Sequence, residues 1–349
     1  MKALIYHGPG AKAAEDRPIP TLQNATDAIV RITATTICGT DLHILKGDVP
    51  TVSEGRILGH EGVGIIEEIG AGVTRFHKGD RVIISCITAC GKCDYCRRGM
   101  MSHCEHGGWV LGNTIDGTQA EFVRIPWADT SLHAIPDGAD DEAMLMLSDI
   151  LPTGYECGVL NGCIQPGDTV AIIGAGPIGL AALLTAQFFA PAQIIVFDRD
   201  FHRLAVAHRL GATVIAQTTA ANSIERTMAI TAGVGVEVAI EAVGIPESFE
   251  LCQEIIAPGG HIANVGVHGK IVALHLETLW SKNITITTRL VDTVTTPLLR
   301  KAILNGKLDP RPLISHRFPF SEVMTAYETF SNAARERALK VILSPASSR

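Results

Sequence analysis

No stretch of this 349-residue chain is both long and apolar enough to cross a bilayer. The richest apolar run, Leu180 to Ala190, is broken by Thr185 and Gln187 and is too short. The opening Met1-Lys2-Ala3-Leu4-Ile5-Tyr6 lacks the apolar core and small-residue cleavage site of a secretory signal, and reads as a strand. A basic excess is missing too. Lys and Arg number 29 against 36 Asp and Glu, a net charge of -7 with histidine neutral. That balance disfavours nucleic acid or an anionic membrane as partner. Internal repeats and low-complexity tracts are absent, and Ser344 to Arg349 is a short polar end. What remains is a cytoplasmic globular protein, 46% hydrophobic, long enough for two domains. Cytosolic thiols stay reduced, so clustered cysteines there point to metal rather than disulfides.

Such a cluster is present. Cys90, Cys93, Cys96 and Cys104 follow a C-x2-C-x2-C-x7-C spacing. Four thiolates this close make a tetrahedral sulfur cage suited to zinc. A closed cage has no coordination position for a substrate, so it is structural, and the chemistry must lie elsewhere.

The first ~150 residues read as β-rich and glycine-punctuated, with strands at Ala28 to Thr33, Gly62 to Ile69 and Arg81 to Ser85. From Thr169 the pattern alternates. Thr169 to Ile173 is a buried strand, Ile178 to Phe189 a helix, Gln193 to Phe197 a strand and Phe201 to Leu210 a helix stopped by Gly211. Val236 to Ile240, His261 to Val265 and Ile284 to Thr288 continue as strands, and Leu339 to Leu343 returns to the first domain. Near-continuous apolar strands between helices indicate a parallel sheet covered on both faces, an α/β fold. The domains are expected at 1–152 with 294–349, and at 153–293.

Gly174-Ala175-Gly176-Pro177-Ile178-Gly179 follows the first of those strands and opens a helix. In this context G-x-G-x-x-G is a dinucleotide fingerprint. The first glycine permits the turn, the second lets pyrophosphate approach the backbone, and the third allows close helix packing. Pro177 and Ile178 stand where the loop enters that helix, and the phosphates would lie over its N-terminus. Asp198 ends the next strand, 19 residues beyond Gly179. A carboxylate there accepts from the ribose hydroxyls and repels a 2′-phosphate, which favours NAD over NADP. Asp198 also suits a cap for the helix that follows; Arg199 or Arg203 suits a 2′-phosphate, or Arg203 holds the ribose edge.

A second set of metal-ligand types lies in Cys38-Gly39-Thr40-Asp41-Leu42-His43 and Gly59-His60-Glu61. A catalytic zinc keeps three protein ligands and an open position. Cys38 and His60 supply two, and the third is expected near the domain junction, where Asp149 and Cys157 compete. Trp109, after Gly107-Gly108, suits either a wall of a substrate pocket or a brace for the zinc lobe.

Together these motifs resemble the zinc-dependent medium-chain alcohol dehydrogenase family, in order and approximate spacing, over essentially the whole chain. The resemblance implies a β-rich GroES-like catalytic domain with a structural zinc lobe, plus a Rossmann cofactor domain. It implies two zinc ions per chain, NAD, and a small alcohol, aldehyde or ketone as substrate. It places catalytic zinc on Cys38, His60 and Asp149, the last lying four residues before a nicotinamide-side threonine, Thr153. An aspartate in that place resembles the bacterial secondary-alcohol and formaldehyde dehydrogenase branches. Glu61 is implied as an acid that enters the metal shell. Thr40 would take the alcohol proton, relayed through the nicotinamide ribose to His43 and solvent; imidazole suits that last step near neutral pH. Val243, Val267 and Lys340 join the cofactor side. Relatives are commonly tetramers, so a homo-oligomer is expected, and Ile284 to Thr288 is a candidate edge strand. Polyol, amino-alcohol or formaldehyde oxidation, and a non-catalytic NAD- and zinc-binding sensor, are the alternatives.

Overall fold

In the computed structural model, which describes residues 1–217 and 220–345, the chain divides into two compact units. One is Met1–Asp149 with Asp292–Arg349, the other Ile150–Val291.

The first unit is built on antiparallel pairing. Ala28–Ile37 is its central strand, ten residues long and almost wholly buried. It pairs antiparallel with Gly62–Ile69, with Phe122–Ile125 and with Lys340–Ser344. The sheet extends through Arg81–Ile84 and Leu132–Ala134 on one side, and through Ile314–Pro319 on the other. The last strand therefore returns to the first unit, as expected, one residue later than its apolar pattern suggested. A separate hairpin joins Lys2–Tyr6 to Lys12–Asp16. Val30, Ile32, Ile66, Val82, Ile84 and Val123 fill one core of this unit. A second core gathers Leu4, Ile37, Ile44, Leu58, Tyr327 and Val341, and it lies directly beside the metal-ligand segments.

The second unit is a six-stranded, wholly parallel sheet. Its spatial order is Val214–Gln217, Gln193–Asp198, Thr169–Ile173, Val236–Glu241, Ile256–Asn264 and Thr285–Thr288. Counted in chain order this is 3-2-1-4-5-6, the Rossmann arrangement. The order reverses between Thr169–Ile173 and Val236–Glu241, and ligands of such sheets bind at that point, beyond the carboxyl ends of the strands. Helices Pro177–Ala186, Phe201–Arg209 and Pro246–Ile255 connect them. Three of their elements had no clear sequence signal: Val214–Gln217, Ala220–Ile230 and Pro246–Ile255.

The units divide at Asp149/Ile150 and Val291/Asp292, not at 152/153 and 293/294. Packing explains both shifts. Ile150–Thr153 runs into a π-helix, Gly154–Leu160, which lies against Pro177–Ala186 so closely that a Cβ on Gly154 would sit 2.6 Å from Ala182 N. At the other end Asp292 Oδ1 accepts from Ser102 N and Oγ at 2.8 and 2.7 Å, and Thr293 Oγ1 lies 2.7 Å from Ser85 Oγ. Both residues are thereby tied to the first unit.

Candidate active site and metal centres

The cysteine lobe forms the cage its spacing predicts. The four sulfurs lie within 4.8 Å of one another, with Cys90 Sγ and Cys96 Sγ 4.0 Å apart. Zinc with four sulfurs at ~2.3 Å requires sulfurs about 3.8 Å apart, so the residues fit that ion. Backbone N–H groups already point at the sulfurs: Cys90 N to Cys104 Sγ at 3.2 Å, Cys93 N to Cys90 Sγ at 3.4 Å, and His106 N to Cys104 Sγ at 3.4 Å. Backbone donors from Cys96 and Glu105 lower the Cys93 thiol to about 6, whereas burial and neighbouring sulfurs lift Cys96 to about 12. Four adjacent thiols cannot all ionise without a central cation, which a bound zinc would supply. The tryptophan packed on this lobe is Trp127, not Trp109.

The second constellation assembles entirely within the first unit. Cys38 precedes the helix Gly39–Lys46, whose Asp41 accepts from Cys38 N at 2.9 Å and fixes the turn. His60 follows Gly59, whose φ of +93° only glycine adopts readily. A Cβ on Gly59 would also lie 2.8 Å from Thr118 Oγ1 and 2.9 Å from Gln119 N, so the glycine lets this segment lie against Gly117–Gln119. Ligand-type atoms of Cys38, His60, Glu61 and Asp149 all fall within 4.8 Å of one another. His60 Nε2 is 3.3 Å from Asp149 Oδ2, and Cys38 Sγ is 3.9 Å from the same oxygen. Cys157 is not in this group; it is buried in the π-helix of the second unit.

The donor set suits a divalent cation. Cys38, Asp41, Glu61 and Asp149 gather around one lysine, Lys340, and one histidine, an excess of buried acidic groups. Burial pushes the Cys38 thiol up, and the Glu61 charge adds to it. Burial would lower His60, but Asp149 and Cys38 outweigh it and carry the ring well above its usual value. The pocket therefore favours positive charge where the three ligand atoms converge. His60 Nε2 faces Asp149 and Glu61, while Nδ1 faces Asp41 Oδ1 at 3.9 Å. Asp41 thus stands behind the ring, and it had no assigned role in the sequence.

Two expectations for this region change. Lys340 is put on the cofactor side by the resemblance. It is 1% exposed, and its Nζ reaches both Glu61 oxygens at 2.6 and 2.7 Å and Ile37 O at 3.4 Å. Burial lowers a lysine, but Glu61, Cys38 and Asp149 together raise this one above its ordinary value. Glu61 is within reach of the ligand group, yet Lys340 and Thr36 Oγ1, at 2.6 Å, hold its carboxylate. Both residues form a buried brace beside the metal ligands.

Thr40 Oγ1 lies 3.8 Å from Cys38 Sγ. His43, three residues on and so on the same helix face, pairs through Nδ1 with Asp48 Oδ2 at 2.9 Å, and both side chains reach solvent. Asp48 carried no sequence signal. Trp109 packs edge-on to the His60 ring, centroids 6.1 Å apart at 75°, and against the second core.

In the second unit the glycine loop has the geometry of a phosphate cradle. Gly174 has φ +103°, and a Cβ on it would lie 2.7 Å from Val243 Cγ2. A Cβ on Gly179 would lie 1.8 Å from Gly174 O, so the third glycine permits helix packing. Gly176 is open, with Arg203 Nη1 its nearest neighbour at 3.7 Å from a Cβ position. Pro177 begins the helix and Ile178 follows in its first turn. Asp198 Oδ2 accepts from Ala175 N at 2.7 Å and Oδ1 from Asp200 N at 2.8 Å, tying the second strand to the loop. The cap of the next helix is Asp200, which accepts from His202 N. Val243 and Val267 follow adjacent strands and are 46% and 65% exposed beside this loop. Arg199 accepts from Gln217 through its backbone. Thr153 ends Ile150–Thr153, half-buried.

The chain matches the family described as "Alcohol dehydrogenase GroES-like domain" over residues 24–137 and "Zinc-binding dehydrogenase" over residues 177–301. It is 36% identical over 373 residues to an alcohol dehydrogenase of Cupriavidus necator, covering 99% of both chains. This chain belongs to the zinc-dependent medium-chain alcohol dehydrogenases. Among solved structures, the dehydrogenase is similar to the apo form of zinc-dependent alcohol dehydrogenase 2 from Streptococcus pneumonia, at 53% identity and TM-score 0.96, covering 100% and 99% of the two chains. It is also similar to alcohol dehydrogenase TADH from Thermus sp. ATN1, at 34% identity and TM-score 0.92, covering 99% and 100%. The dehydrogenase is thus an oxidoreductase with a GroES-like and a Rossmann domain, and its described residues include no helix long and apolar enough to cross a membrane.

Proposed function

We propose that this dehydrogenase reversibly oxidises small primary or secondary alcohols to aldehydes or ketones with NAD, holding catalytic zinc through Cys38, His60 and Asp149. The observation that carries this reading is the convergence of His60 Nε2 and Cys38 Sγ on Asp149 Oδ2, at 3.3 and 3.9 Å. Three donors of different types with a fourth position left to substrate are the mark of a catalytic rather than a structural zinc. When bound, the zinc supplies Lewis acidity towards the alcohol oxygen. The nicotinamide, when bound, accepts the hydride.

The chain's own residues supply orientation and proton handling. Thr40 accepts a hydrogen bond from the substrate hydroxyl. His43, held by Asp48 at the surface, exchanges a proton with solvent. Trp109 forms a rigid wall beside His60 and limits substrate width. Gly174, Gly176 and Gly179 cradle the pyrophosphate, with Pro177 and Ile178 above it and Arg203 beside it. Asp198 meets the adenosine ribose and favours NAD over NADP. Thr153, Val243 and Val267 line the nicotinamide side. Cys90, Cys93, Cys96 and Cys104 hold a second, structural zinc. The protein acts in the cytoplasm as a homo-oligomer, a homotetramer on our reading.

The test is Asp149→Ala. Metal analysis should fall from two zinc ions per chain to one, with turnover of NAD and alcohol lost at 340 nm and the four-cysteine zinc retained. Two zinc ions with full activity would sink the assignment.

A further inference from the structure

Behind His60 lies a buried polar chain that no motif announces. Gln119 donates through Nε2 to Asp41 Oδ2 at 2.9 Å and to Thr36 O at 3.1 Å. Its Oε1 accepts from Tyr327 OH at 2.7 Å. The amide orientation is dictated by chemistry. A flipped amide would set its oxygen against a carboxylate and a carbonyl, neither of which can donate. Gln119 and Tyr327 are both fully buried, and the Lys12 ammonium lies over the tyrosine ring at 5.0 Å from its centroid.

The consequence falls on Asp41. Its Oδ2 is occupied by Cys38 N and by Gln119 Nε2. Its Oδ1 is buried with no hydrogen-bond partner, 3.9 Å from His60 Nδ1. One oxygen is saturated, so the other is reserved for the imidazole. An Asp41 fixed in this way selects the tautomer with hydrogen on Nδ1, leaving the Nε2 lone pair for metal. The backbone is pinned to the same end. Gln119 N donates to Leu58 O at 2.9 Å, two residues before His60, and Gln119 O accepts from Leu4 N at 2.9 Å.

We infer that Gln119 and Tyr327 are positioning residues for the catalytic metal, acting through Asp41 on His60. This rests on the proposed Cys38, His60 and Asp149 site. A purely structural role would lower stability without distinguishing one metal site from the other.

Gln119→Leu and Tyr327→Phe in the full chain separate the two. Outer-shell losses weaken metal retention by roughly tenfold to a hundredfold, which is expected for Gln119→Leu at the catalytic site alone. Tyr327→Phe removes one neutral hydrogen bond and should weaken it about fivefold. Retention is read by competition with a chromophoric chelator. The visible spectrum of enzyme with cobalt(II) at the catalytic site should shift in both variants, while the four-cysteine zinc stays. Wild-type retention and spectrum in both variants would overturn the inference, as would equal loss of both metals with a lowered melting temperature. If Gln119→Leu fails to fold, Tyr327→Phe alone decides. A wild-type chain holding a single metal would overturn the parent site, and this inference with it.

Discussion

A buried lysine is rare because an ammonium loses its hydration, and Lys340 tolerates burial chiefly through its ion pair with Glu61. Removing one partner leaves the other charged and unpaired. Lys340→Met should therefore lower stability by about 3–5 kcal/mol in urea unfolding, and adding Glu61→Gln should restore much of it. NADH affinity should change little, which separates this brace from a cofactor contact. The same residue shows where legibility in the sequence ends. The sequence joins Cys38, His60 and Asp149 only through neighbouring motifs that resemble a family with a known order of ligands, and the three do lie together. Lys340 and Glu61 are 279 residues apart, and nothing local to Lys340 marks it as buried. Asp41 sat inside a quoted motif, yet its role depends on Gln119, 78 residues away, and on the His60 ring. Long-range polar pairing has no period, so pattern reading passes over it.

At the scale of the element, apolar patterning located strands of both sheets well. Thr169–Ile173 and Gly62–Ile69 match their apolar runs end to end. The weak cases have physical causes. Val214–Gln217 is short and only half-buried, and Ile256–Asn264 begins before its apolar run, through Pro258-Gly259-Gly260, with an irregular register against Val236–Glu241. The glycine loop permits a sharper test, because its glycines have different surroundings. Gly179→Ala drives a methyl into Gly174 O and should cost about 3 kcal/mol or more of stability. Gly176→Ala meets open space, so the fold should melt normally while NADH binding, read by fluorescence, weakens at least about tenfold. The strand Leu132–Ala134 offers a pH test. Burial lowers its His133 to about 4, and the Arg300 and Arg75 charges add to this. The folded state thus prefers neutral imidazole, whose ordinary value is 6.5. Stability from this group is complete above pH 6.5 and erodes as pH falls towards about 4, by up to about 3 kcal/mol. Urea midpoints between those limits should fall less steeply with acid in His133→Gln than in the wild type. Parallel slopes would show that His133 is not the group responsible.

At the scale of the whole molecule, the parallel sheet ends in two edge strands among the described residues, Val214–Gln217 and Thr285–Thr288. Thr285–Thr288 pairs with Ile256–Asn264 on one side and with no described strand on the other. Along the same stretch, Ile271, Leu276 and Trp280 are 98%, 59% and 78% exposed, and Leu274 and Leu290 each 46%. An unpaired strand flanked by large exposed apolar side chains is an aggregation hazard for a monomer, and a natural seat for a second copy of the chain. A two-fold axis satisfies both features at once, since a self-complementary edge that pairs with its own copy is covered on both chains together with its apolar flank. Sedimentation should therefore give a multiple of the 37.1 kDa chain. Trp280→Glu combined with Leu276→Glu should shift it towards a single chain with both zinc ions still bound, because neither residue belongs to a metal centre. A doubly substituted protein that sediments as the wild type would move the interface to another surface.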